Sequence, residues 1–106
     1  MPKYMVQASY TVDGMKGLLK DGGSKRRAVV EKAIGGLGGK VDGFYFAFGP
    51  TDVVIIVDMP DVASAAAVGM AVGASGSVRS NITPLITPEE IDAAAKKHVG
   101  YTPPGA

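Results

Sequence analysis

KVDGFYFAFGPTDVVIIVD, residues 40–58, holds two apolar runs separated by one short break. In the first run Phe44, Phe46 and Phe48 fall on one side and Val41, Tyr45 and Ala47 on the other, the period of two that predicts a β-strand over Lys40–Phe48. Gly49-Pro50-Thr51-Asp52 supplies turn chemistry of a length that returns the chain as a hairpin. The second run, VVIIV at Val53–Val57, is apolar in both phases. A strand packed on one side needs only one apolar face, so this run predicts a central strand in a sheet covered on both faces.

The flanking segments complete the pattern. Lys3–Tyr10 alternates, with Tyr4, Val6, Ala8 and Tyr10 on one face and Lys3, Met5, Gln7 and Ser9 on the other, and reads as a first strand. Thr11 is placed to cap a short helix running to about Lys20, which Asp21-Gly22-Gly23 breaks. Ser24 is the expected N-cap of a second helix carrying Val29, Val30, Ala33, Ile34 and Leu37 at helical spacing, ended by the glycines around Leu37. Asp61 caps a third helix, Val62 to about Ala74, which contains no charged residue. Ser77–Leu85 reads as a fourth strand with Val78 and Ile82 inward, and Pro84, which cannot donate to a ladder, belongs at a sheet edge. Thr87-Pro88-Glu89-Glu90 has the form of a capping box opening a last helix to about His98.

Four strands and two crossover segments in this order predict an α+β fold, a ferredoxin-like βαββαβ sandwich. Its four-stranded antiparallel sheet takes the order 4-1-3-2, with helices on one face. Nothing else in the chain is large enough to cover the second face, so a homodimer joined through the sheet is expected. Residues 1–98 form one domain and 99–106 a Pro/Gly tail.

Composition sets further bounds. The chain has no cysteine, which excludes disulfides, thiolate chemistry and sulfur-ligated metals and suits a reducing compartment. MPKYMVQASY has no long apolar run after its lysine, so no secretory signal is expected, and the longest uncharged stretch is too broken by Gly and Ser to span a bilayer. The expected location is cytoplasmic, with neither membrane nor nucleic acid as a partner, since the net charge is only +1 and lacks the basic excess that nucleic acid demands. The charge is unevenly spread: residues 1–40 balance at +5 and residues 41–106 at −4. With one histidine and scattered carboxylates, no metal site and no cofactor are expected.

KYMVQASYTVDGMKGLL, GGSKRR, LGGKVDGFYFAFGPTDVVIIVDMPD and TPLITPEEIDAA resemble, in order and over about the first 95 residues, the GYD-domain family. The resemblance implies the dimeric α/β-barrel arrangement and brings no settled activity with it. The chain keeps Gly49 and Asp52 of the family's hairpin but has Thr51 where the family's tyrosine is expected, so a role requiring that phenol is not carried over.

Two places offer a ligand purchase. Tyr4, Tyr10, Phe44, Phe46 and Phe48 share one side of the sheet and could line a pocket for a flat apolar molecule; Tyr10, Phe46, Phe48 and Asp52 are its candidate contacts, against the plainer reading of a filled core. Ser24, Lys25, Arg26 and Arg27 follow two glycines at a helix start, where free N–H groups and cations attract anions; the plainer reading is a capped helix with solvated charges. His98, Asp52 and Asp58 have no partners at spacings that imply acid–base work, and no catalytic residue is assigned. The reading that follows is a small dimeric protein that binds a small ligand or serves as a stress-associated accessory. The alternatives are a cofactor-light monooxygenase or isomerase acting on an aromatic or polyketide-like substrate, and a higher-order self-assembly module built on the uncharged third helix.

Overall fold

Strand alternation, helix caps and glycine breaks give the elements their places. The computed structural model describes residues 1–106. The chain runs β1 (Lys3–Tyr10), α1 (Val12–Asp21), α2 (Gly23–Gly36), β2 (Lys40–Phe46), β3 (Val53–Asp58), α3 (Val62–Ala74), β4 (Val78–Leu85) and α4 (Pro88–Ala95). The four strands form one antiparallel sheet in the order β2-β3-β1-β4, numbered from the opposite edge to the expected 4-1-3-2. Pro84 lies on edge strand β4, where its missing N–H costs the sheet nothing. No helix is long and apolar enough to cross a membrane.

Registers Val6↔Ile55 and Ala8↔Val53 line up the apolar phase of β1 with that of β3. Tyr4, Val6, Ala8, Val53, Ile55, Val57 and Val78 are buried together with Ile34 of α2 and Ala65 of α3. Both long helices therefore pack on the same side of the sheet. The other phase of the central strands, Met5, Gln7, Val54 and Ile56, stays half-buried, and Tyr45 beside them on β2 is exposed. At one end of this open side Lys3 donates to Asp58 at 2.9 Å and to Asp42, which stands at a bulge between Val41 and Gly43. Hydrogen bonding to these two carboxylates holds the Lys3 ammonium above its ordinary value, and Lys3 in turn holds Asp42 below the usual carboxylate range.

Three of the expected caps form: Thr11 accepts from Gly14 N, Asp61 from Ser64 N at 2.7 Å, and Thr87 with Glu90 closes a complete capping box. Ser24 does not cap. α1 and α2 are separated only by Gly22, whose φ of 83° turns the corner and which caps α2 without a side chain, so Ser24 falls inside the first turn. β2 also ends earlier than expected, at Phe46, because Phe48 takes a φ of 54° in the hairpin loop and leaves the sheet. The last helix stops at Ala95 rather than near His98.

Only 11 of 106 residues are buried, and the chain exposes 7257 Å². A compact monomer of this mass would expose about 5,500 Å². The radius of gyration of 16.9 Å likewise exceeds the roughly 13 Å of a compact domain this long. Two features account for the excess: the open side of the sheet, and a C-terminal arm in which every residue from Ile86 to Ala106 is exposed. The outer side of α3 adds an uncharged surface, with Val62 and Met70 at 70% and 75% exposure.

The closest helix approach is at Gly14, where an added Cβ would stand 2.0 Å from the Ser77 carbonyl oxygen, whereas one at Gly17 would meet nothing. Gly14→Ala is expected to cost about 1–3 kcal/mol in urea denaturation through overpacking, while Gly17→Ala should gain roughly 0.5–1 kcal/mol by restricting the unfolded chain. Equal effects at the two positions would refute the close contact.

Candidate functional site

The corner at Gly22 decides where charges go. It sets α2 against α1 so that Arg26 turns inward while its neighbours stay outside. Lys25 is exposed and paired with Asp21 at 3.4 Å, and Arg27 is exposed and paired with Glu31 at 3.7 Å. Arg26 alone among the lysines and arginines is half-buried, and it forms no ion pair. A guanidinium cannot shed its charge by deprotonating, so a partly desolvated and unpaired one favours any anion that can reach it.

Arg26 stands with Tyr10 between two adjoining spaces. Outside them is a cleft of about 340 Å³ walled by α1 (Asp13, Gly14, Gly17, Leu18, Asp21), the α3 end (Ala71, Val72, Ser75), Ser77 just before β4 and Val78 at its start. Inside lies a cavity of about 60 Å³ between sheet and helices, lined by Ala8, Val30, Phe44, Val53, Ile55, Val68 and other apolar side chains, with Ser80 as its remaining polar neighbour. The outer cleft falls within the range that holds small molecules. The inner cavity accepts no more than a methyl group or the edge of a ring.

Tyr10 owes its position to Asp52. The Asp52 carboxylate accepts from Tyr10 N at 2.9 Å, its own N–H donates to the Ala8 carbonyl at 2.8 Å, and its carbonyl accepts from Ala47 N at 2.8 Å. Asp52 thus ties the β2–β3 loop to the end of β1 and holds the Tyr10 backbone at the cavity mouth. Burial pushes the Tyr10 phenol above its ordinary value; the adjacent Arg26 pulls it partly back down, and Asp52 adds a small upward push.

The sequence candidates are regrouped accordingly. Tyr10 and Arg26, expected in two separate sites, share one. Phe46 and Phe48 line neither space: Phe46 stacks with Phe48 at 6.3 Å and rests on the bare backbone of Gly23, and Phe48 is 66% exposed. Tyr4 is buried deeper, away from the cleft. Ser24 lies with Arg27, Phe44 and Phe46 around a separate shallow depression. Asp13, Ser75 and Ser77 are cleft residues that sequence reasoning missed, because nothing local links α1 to the α3–β4 turn. No group of three or more acidic, histidine or cysteine side chains is close enough to hold a metal ion.

A family model described as the GYD domain matches residues 4–95, from the first strand to the end of α4. The chain belongs to the GYD-domain family. No curated protein and no solved structure matches it. The GYD domain here carries Thr51 half-buried in the hairpin loop, away from both the cleft and the inner cavity, so the site just described does not draw on that position.

Since Arg26 lowers the Tyr10 phenol and burial raises it, Arg26→Met should move the Tyr10 titration further up. Phenolate absorbance, with Tyr10→Phe subtracted to isolate this residue from the other three tyrosines, reads the change; a downward move would contradict the arrangement.

Proposed function

We propose that this GYD-domain protein binds a small, largely apolar molecule bearing one anionic group, and that it does so as a homodimer of ferredoxin-like sandwiches in the cytoplasm. The observation that carries the ligand reading is the unpaired, half-buried Arg26 beside Tyr10 at the junction of an outer cleft and an apolar inner cavity. An anion at Arg26 satisfies the guanidinium, the Tyr10 hydroxyl donates to the same group, and the apolar body rests on Leu18, Ala71, Val72 and Val78. Asp13 and Asp21, the latter paired with Lys25, lie at the exposed rim, where they disfavour a second negative charge on the ligand.

Two probes of the same shape test this directly: naphthalene-2-carboxylate and the neutral naphthalene-2-carboxamide, titrated by calorimetry. The carboxylate should bind about tenfold tighter, as one charge-assisted hydrogen bond implies, and Arg26→Met should abolish the difference. Equal binding of the two probes by the unaltered protein would remove the anion reading.

The dimer reading rests on Met5, Val54 and Ile56, apolar side chains on the side of the sheet that no helix of the chain covers. Ile55 faces the helices and Ile56 the open side. Ile56→Lys should therefore yield a folded monomer, and Ile55→Lys an unfolded chain, by sedimentation and circular dichroism. A micromolar monomer without either change would sink the dimer. The exposed, uncharged outer side of α3 favours a second reading, self-assembly beyond the dimer, and the same sedimentation run would reveal it as a larger species.

A further inference from the structure

The segment after β4 is built with care and touches almost nothing. Thr87 and Glu90 close a reciprocal capping box, Pro88 opens the first turn, and Glu89 and Glu90 complement the dipole of α4. Yet α4 makes no more than marginal contact with any other element of its own chain, and Ile86, Ile91, Val99 and Tyr101 are each between 52% and 74% exposed. A helix of eight residues is too short to persist in water on propensity and caps alone. It therefore requires a surface that its own chain does not provide.

The areas point to what supplies that surface. The chain exposes 7257 Å², about 1,750 Å² more than a compact monomer of its mass. A stable pairing of proteins hides about 800 Å² per partner. The surplus is more than one such pairing hides, and it is shared between the open side of the sheet and the apolar-studded arm. The arm leaves from Leu85, which pairs with Lys3 at one border of the open side, so it begins where a second copy seated on that side would lie within reach.

We infer that in the dimer each chain's arm, Ile86–Tyr101, crosses to the other copy and clasps it, with Ile91 on α4 and Val99 and Tyr101 beyond it as apolar anchors. This rests on the dimer reading above. An exchanged clasp supplies α4 with its missing contact and hides exposed surface on both partners at once.

The test uses the full chain. Protein labelled with ¹⁵N and unlabelled protein are unfolded together, refolded and treated with a lysine-reactive cross-linker, after sedimentation has established the particle's mass. Links from Lys96 or Lys97 of one isotope to a lysine of the other are expected. In a particle of dimer mass, links within one isotope only, or none from these lysines, would overturn the clasp while leaving the dimer standing; a monomer would overturn both. Ile91→Glu keeps a good helix former at an exposed position, so folding should be unaffected while the dimer Kd rises at least tenfold. An unchanged Kd would equally overturn the inference.

Discussion

Val53, Ile55 and Val57, held in β3 between β1 and β2 and pressed against Ile34 and Ala65, are the contact on which the other elements are arranged. Their burial fixes which side of the sheet receives α2 and α3. Because side chains along a strand alternate, the same choice sends Val54 and Ile56 to the opposite side. The chain spends both its long helices on one face. The other carries apolar side chains with no cover of their own, which at about 25 cal/mol per Å² is a standing penalty for a lone chain. The proposed dimer and the proposed clasp are both answers to that imbalance.

The ligand reading depends on a different constraint, the corner at Gly22. With a single residue between α1 and α2, α1 cannot lie over the sheet and instead packs at its end, where bare Gly14 approaches Ser77. This opens the cleft along the side of α2 that carries Arg26. Had the first turn of α2 been rotated by one residue, Lys25 or Arg27 would face the cleft, and each of these has an acid one helical turn away to neutralise it. The opposite end of the site is held by Asp52, whose three hydrogen bonds spend it on architecture. Asp52 lines neither the cleft nor the inner cavity, and its carboxylate holds the Tyr10 backbone.

Much of this is legible in the sequence. Alternation in β1 and β3, the edge proline, the side-chain caps at Thr11, Asp61 and Thr87, and the uncharged third helix are local signals, since the physics behind each spans only a few residues. The failures are instructive for the same reason. Ser24 has the chemistry of a cap, but the glycine before it took the turn. Phe48 continued the alternation of β2, but the loop demanded a positive φ there. Tyr10 and Arg26 each carry a local signal, but nothing joins one to the other, because the fifteen positions between them say nothing about how α1 is set aside.

By itself, then, the sequence determined the elements, their order and the face each strand presents, because hydrophobic period and capping chemistry act over one or two turns. Membership of the GYD-domain family follows from the same linear pattern, matched over residues 4–95. The tertiary structure alone decided that one guanidinium would be left half-buried without an ion-pair partner, that an apolar cavity would open beside it, and that the last helix would stand clear of the body. These outcomes depend on distances between segments far apart in the chain, and no local preference encodes such a distance.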